Sequence, residues 1–334
     1  SGYGRLFLNQ RYQGVYQMVG QTTESLLRRK RRMPGDIYNG DTRTIWEDPQ
    51  AWTKNANFDS KDKDNRDPLI RFLKSLEEAQ PGSKKPAGDI LRDLQETMHV
   101  ESFLKSWAIQ VIAGSMHQDA THNQKFYWDP SSGKIEPIIW DTFGHGKYYE
   151  LDEDLDSPLV PTHLALIRFP HLTLEKYQFL YQAIQQLEAD KFQENWIGQY
   201  KNMIQRDMKS ARVVDYGYLT RKPFRPMNYF RWGVNREFGR VLEFVPKRYS
   251  QLRSALNRFD GKWAWCAVDT DRAEGRLALS GHVPIEILEM RQNNKPIGYK
   301  IHWEIDSDRD VSFVTKRLYP GRGIIPGGAW HSNY

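Results

Sequence analysis

Between residues 90 and 141 a long helical pattern runs through a polar loop into a hairpin pattern, and this junction constrains the fold more than any other feature of the chain. Leu91, Leu94, Met98, Phe103, Leu104, Trp107, Val111 and Ile112 recur at helical spacing, so residues 90–116 are expected to form core helix. Residues 125–128 and 135–140 are rich in β-branched and aromatic side chains and flank Asp129-Pro130-Ser131-Ser132-Gly133-Lys134, which has the chemistry of a hairpin turn. Helices and antiparallel strands in separate runs point to the α+β class.

The remaining segments extend this picture. Residues 5–19 alternate apolar and polar side chains around Asn9-Gln10 and Gly14, a second hairpin. Residues 26–32 end in five consecutive basic residues, read as a solvated helix end in preference to an anion-binding patch. Residues 53–66 are polar loop; Asp59, Asp62 and Asp64 alternate within it, but the glycine and terminal glutamate of a calcium loop are absent. Helical periodicity returns at 69–78, 174–187, 192–212 and 230–257. Beyond Phe259-Asp260-Gly261 the pattern shifts to short strands at 263–268, 276–279, 285–290 and 299–305. The expected organisation is therefore a main domain over residues 1–260 and a small β appendage over 261–334.

Composition narrows the function classes. A chain of 334 residues with 39% hydrophobic and 13% aromatic residues buries a sizeable core, although a mean hydropathy of −0.73 implies a polar surface. A net charge of +6 and a pI near 9.1 suit acidic partners and equally suit a merely soluble basic protein. The single cysteine, Cys266, excludes an intramolecular disulfide and a cysteine-rich zinc site. No apolar run reaches the roughly 18 residues of a membrane span. Ser1-Gly2-Tyr3-Gly4 runs directly into a strand pattern, as an interior position of a longer or processed chain does.

Chemistry concentrates in residues 115–146. Asp119 and Asn123 fall on a loop after a buried helix, a hairpin follows, and Asp141 is expected at the end of its second strand. Protein kinases use the same succession of catalytic Asp, metal-binding Asn, hairpin and metal-binding Asp. Phosphoryl transfer needs a group that orients the attacking hydroxyl and oxygen ligands for Mg²⁺, and Asp and Asn meet both needs. Asp141-Thr142-Phe143-Gly144 is a faint echo of Asp-Phe-Gly with one residue inserted. Spacing alone favours a structural account, in which Asp119 caps a turn, Asn123 satisfies loop backbone and Asp141 ends a strand. His117, His122 and His145 offer a weaker alternative, a metal site with Asp119 or Asp141.

Across roughly residues 6–256 the chain resembles the CotH family, first described among spore-coat proteins. Residues 6–16, with Asn9, Tyr12, Gly14 and Tyr16, are similar to an N-terminal strand of that family. Asp119, His122-Asn123, Phe126-Tyr127 and Ile138-Ile139-Trp140-Asp141 are similar to its central signature, and residues 245–252, with Arg248, resemble its closing helix. The resemblance implies an atypical protein-kinase-like fold with a mostly helical C-terminal lobe. It further implies ATP as co-substrate, Mg²⁺ or Mn²⁺, and a Ser/Thr-containing protein acceptor that is extracellular or at a cell surface. By the same carry-over Asp119 is catalytic and Asn123 and Asp141 hold the metal. Three departures stand out: Gly20 where the family has Glu, Asn39 where a phosphate-gripping Lys is expected, and Thr142 where a second acid is common. The family's earlier N-terminal strands are also missing. Lys30 and Arg43 are the candidate replacements for the lost lysine. The departures place a catalytically impaired scaffold or binding protein beside the active kinase as a second reading. Nucleic acid, resting on Arg28 to Arg32 and scattered aromatics, is not expected as a partner. The C-terminal Trp263, Trp265, Trp303 and Trp330 are read as core residues, and the glycines of residues 321–328 as a tail segment.

Overall fold

A computed structural model describes residues 2–55, 64–115, 117–142, 155–156, 160–209 and 227–256, followed by five strands between 259 and 317. Strands β1 (Gly2–Leu8) and β2 (Arg11–Met18) form the expected first hairpin. Its two-residue turn, Asn9 and Gln10, has both φ angles positive (50° and 64°), which matches the twist of a tight hairpin. A register shift after Leu6 leaves Gln13 without a cross-strand partner beside Gly14. Helix α1 (Glu24–Arg29) follows.

The central sheet joins β3 (Ile37–Gly40), β4 (Thr53–Asn55), β5 (Gln124–Asp129) and β6 (Lys134–Pro137) in the order β4-β3-β5-β6, all antiparallel. All four residues of β3 are buried, so its apolar residues do not alternate as those of a half-exposed strand do. The ring of Trp52 packs on Gly40, 2.8 Å from where a Cβ would stand, so only glycine fits there. The second hairpin forms, but β6 ends at Pro137, four residues before Asp141.

Helices α2 (Asp67–Glu78), α3 (Ala87–Thr97), α4 (Val100–Ala113), α5 (Pro161–Ile167), α6 (Pro170–Ala189), α7 (Gly198–Lys209) and α8 (Met227–Leu256) supply the rest of the core. The single helical stretch expected over 90–116 is two helices. Met98 adopts extended backbone and bridges to Ile135 of β6, whose carbonyl accepts from the His99 amide at 2.9 Å. Pairing with the sheet edge replaces one helical turn.

One core cluster packs Tyr38 and Phe126 of the sheet against Leu69, Phe72, Leu94, Phe103, Leu104 and Trp107. The Phe126 ring lies 5.0 Å from Trp52, 5.3 Å from Phe72 and 5.7 Å from Phe103. Each such buried side chain contributes about 1.5–3 kcal/mol of transfer free energy. A second cluster joins Ala108 of α4 to Tyr177, Leu180 and Ile184 of α6 and to Tyr249, Leu252 and Leu256 of α8. Helix α4 is thus gripped from both sides, which fixes where its C-terminal end delivers the chain.

Beyond α8, β7 (Phe259–Asp269) pairs with β8 (Arg272–Gly281), and β9 (Ile285–Gln292) lies between β10 (Lys295–Ile297) and β11 (Val311–Arg317). The expected strand at 299–305, Trp303, Trp330, residues 321–328, Asp59, Asp62, Phe143, Gly144 and His145 lie outside the described residues.

Candidate active site

The loop bearing Asp119 is set by the end of α4. Gly114 takes the left-handed conformation (φ 60°) and donates to Val111 O, while the Ser115 amide reaches back to Gln110 O at 3.0 Å. From α8, Arg248 donates Nε at 3.0 Å and Nη2 at 2.6 Å to the same Val111 carbonyl, capping a helix 137 residues away in sequence. Side-chain amides then stitch the loop. Gln110 Nε2 donates to Gln118 Oε1 (2.9 Å), Gln118 Nε2 to Asn123 O (3.2 Å), and Gln124 Nε2 to Asp119 O (2.9 Å). The Trp46 indole donates to Ala120 O at 2.8 Å, tying the loop to the aromatic core.

Asp119 closes a turn with its own carboxylate. Its Oδ1 accepts from the Thr121 amide (2.7 Å), the Thr121 hydroxyl (2.8 Å) and the His122 amide (3.0 Å), and His122 Nδ1 lies 3.0 Å from Oδ2. Burial acts to raise its pKa, but the hydrogen bonds from Thr121 and the neighbouring His122 outweigh it and hold the carboxyl below its usual range. Asp119 therefore stays ionised at neutral pH.

Asn123 and Asp141 meet through His117. Asn123 Nδ2 donates to His117 O at 3.0 Å, and His117 Nδ1 lies 2.7 Å from Asp141 Oδ2, a contact that requires the proton on Nδ1 because a carboxylate only accepts. The Asn123 amide donates to Asp41 Oδ1 at 2.8 Å. Both Asn123 (φ 59°) and Asp141 (φ 47°) hold the left-handed conformation, which Asn and Asp tolerate better than other non-glycine residues. The other positive-φ non-glycine residues among those described are Asn9 and Gln10 in a hairpin turn and Arg31 and Lys191 just past helix ends. Asp119 shares the loop, but its carboxylate is turned to Thr121 and His122 and bonds neither Asn123 nor Asp141. The imidazoles divide accordingly, His117 with Asp141 and His122 with Asp119.

The structure adds residues that motif reading passed over. Lys125 on β5 donates from Nζ to Asn39 Oδ1 at 2.9 Å and sits 4.8 Å from the Trp140 ring centroid. Burial lowers its pKa, while the carboxylates of Asp41 and Asp141 oppose that shift. Thr22 donates to the same Asn39 oxygen at 3.1 Å. Finding Lys125 from sequence requires the β3–β5 register, which local patterns do not state.

Lys30 ends α1 on the surface and Arg43 sits in an exposed turn; among the described residues neither bonds Asp119, Asn123 or Asp141. The basic run is the expected helix end: Arg28 pairs with Glu24, and Arg32 pairs with Glu136 while lying over the Tyr127 ring. His99, Asp129 and Glu136 lie close enough together to share a cation. Arg32 already bonds Glu136 and lies 3.8 Å from Asp129, so an internal guanidinium neutralises that cluster.

The family model for CotH kinase protein matches residues 1–250. The chain belongs to the CotH family. This bears out the resemblance read from the segments between residues 6 and 256. CotH membership brings a kinase-type transferase function, with ATP, a divalent cation and a protein acceptor as its general reactants. No curated protein matches the chain. Among the described residues no helix is long and apolar enough to cross a membrane.

Proposed function

We propose that this CotH protein is an ATP-dependent protein kinase that transfers the γ-phosphate to a serine or threonine of a secreted or surface protein, with Mg²⁺ or Mn²⁺ bound through Asn123 and Asp141. The observation that carries the reading is the oxygen set joined by His117. Asn123 Nδ2 and Asp141 Oδ2 are engaged with His117, and among the described residues Asn123 Oδ1 and Asp141 Oδ1 receive no hydrogen bond. Hard oxygen donors of this kind suit a divalent cation that keeps water and phosphate oxygens in its shell. When bound, the cation would neutralise charge on the phosphates.

In this reading His117 fixes the Asp141 carboxylate by donating to it. Asp119, kept ionised by Thr121 and His122, accepts from the attacking hydroxyl and orients it toward the phosphate. Trp46, Gln118 and Gln124 hold that loop in place. The strands β7–β11, beyond a main domain ending near residue 260, form an appendage for partner contact.

Calorimetry with ATP and Mg²⁺ should detect binding by the intact chain, and Asp141→Ala should abolish it. Phosphate transfer to a Ser-rich acceptor should be lost in Asp119→Ala while nucleotide binding persists. Absence of Mg-ATP or Mn-ATP binding by the wild type removes the reading. A second reading, a non-catalytic scaffold, is favoured by Gly20 and Asn39; binding without any transfer would select it.

A further inference from the structure

We propose that Lys125, together with the side-chain amide of Asn39, receives the phosphates of a metal-complexed nucleotide, so that the gripping lysine acts from β5 and not from the neighbouring strand β3. This inference rests on the kinase reading above. It replaces Lys30 and Arg43 as candidates.

Asn39 and Lys125 are direct cross-strand partners, so their side chains rise from the same face of the central sheet. Tyr38 and Phe126, one position along, enter the main core on the opposite face. The Asn39–Lys125 face also carries the Ile37–Tyr127 pair, which packs with Leu27 of α1. An ammonium moved from position 39 to position 125 therefore stays on the same face, one strand over.

The polar atoms are arranged to receive an anion. Lys125 is 9% exposed and Asn39 8%. Lys125 has three N–H donors and only donates, so the atom of Asn39 that faces it must be Oδ1, an assignment the second donor, Thr22, reinforces. That leaves Asn39 Nδ2 buried without a partner. Among the described residues the Lys125 ammonium has Asn39 Oδ1 as its hydrogen-bond acceptor and no ion pair within 4.0 Å. Unused donors on two buried neighbouring side chains call for an acceptor.

The acceptor's chemistry follows from the surroundings. Asp41 accepts from the Asn123 amide two residues before Lys125, and Asp141 follows Trp140, whose ring centroid lies 4.8 Å from the Lys125 ammonium; two carboxylates so placed repel a bare anion. A phosphate that carries its own divalent cation meets both demands: the cation faces the carboxylate and Asn123 side, and a phosphate oxygen accepts from Lys125 and Asn39. Metal-complexed nucleoside polyphosphate is thus the ligand class, in preference to free phosphate or free nucleotide.

The test is calorimetry on the full chain with Mg-ATP, ATP in the presence of EDTA, and adenosine. Lys125→Met should weaken Mg-ATP roughly 10- to 100-fold, the loss expected for charge-assisted hydrogen bonds, and leave adenosine binding unchanged. The double variant Asn39→Lys with Lys125→Met, which returns the ammonium to β3, should recover Mg-ATP affinity to within a few-fold. EDTA should weaken ATP binding to wild type. If wild type binds Mg-ATP and Lys125→Met binds it equally well, the proposal falls while the kinase reading stands. The proposal also falls if Lys125→Met loses adenosine as well while its thermal melt is unchanged. If Lys125→Met does not fold, Asn39→Ala decides, with a selective loss of Mg-ATP expected and unchanged affinity overturning the assignment. If wild type binds no nucleotide, both readings fall together.

Discussion

His163 lies flat on Trp107, with ring centroids 4.2 Å apart and planes within 7°, and is buried in the core beside Lys176. Burial, and then the charge of Lys176, push its pKa well below 6.5, so the folded protein keeps it neutral. Lys176 is itself fully buried, donating to Leu155 O at 2.7 Å and Asp156 Oδ1 at 2.5 Å, with its ammonium 3.5 Å from the Trp107 centroid. The sign of the pH effect follows. As pH falls below 6.5 the unfolded chain takes up a proton at His163 that the folded chain refuses, so stability declines by up to about 1.4 kcal/mol per pH unit from this group. Urea unfolding of wild type and His163→Gln should diverge in pH dependence, with the variant losing less stability than wild type as pH falls from 6.5 to 5. Parallel profiles would show that His163 takes up its proton in the folded state. Replacing Lys176 with Met should destabilise by about 1–3 kcal/mol by leaving the Leu155 carbonyl without that donor.

Helix α4 carries the candidate site on its C-terminal end, and its last turn is finished by a side chain from another element. Arg248 of α8 gives two donors to the Val111 carbonyl, and Phe244 of the same helix sits 3.2 Å from where a Cβ on Gly114 would be. Arg248→Ala should lose about 1–3 kcal/mol and speed hydrogen exchange at the Ser115 amide, which bonds back to Gln110 O. Arg248→Lys, with a charge but no guanidinium fork, should recover only part of both. If exchange at Ser115 is unchanged, the arginine does not hold this helix end. The residues of this arrangement were readable in the sequence, but not the contact: the Val111–Arg248 bond joins residues 137 positions apart and no local pattern encodes it. The same reasoning covers other elements. The hairpin turns at Asn9-Gln10 and Asp129 to Gly133 were legible because their chemistry is local. Strand β3 was not, because it is four residues long, buried on both faces and ends in Asn39-Gly40, residue types that are depleted in strands. The break at Met98 was hidden because it comes from pairing with Ile135, not from a breaker residue. At the site, the order of Asp119, Asn123 and Asp141 was legible, whereas Asp41 and Lys125 enter only through tertiary proximity.

At the scale of the whole molecule, the family match and the folded core end at different places. The match stops at residue 250, but α8 continues to Leu256, and its last turns bury Leu252, Ala255 and Leu256 in the cluster that also holds Ala108 of α4. Leu252 is fully buried and Leu256 is 1% exposed. Losing either leucine costs about 2–5 kcal/mol, and a domain's whole stability is about 5–15 kcal/mol. A chain ended after residue 250 should therefore be largely unfolded at 25 °C. A chain ended after residue 258 retains every core residue so far described, along with Asp41, His117, Asp119, Asn123, Lys125 and Asp141. It should unfold in one cooperative urea transition and bind Mg-ATP with the affinity of the 334-residue chain. The two truncations differ by eight residues, so their contrast isolates the end of α8 from the β7–β11 region. Cooperative folding of the 250-residue chain would mean the leucines of the last turns are not essential to the core. Loss of cooperativity in the 258-residue chain would mean that β7–β11 supply part of it.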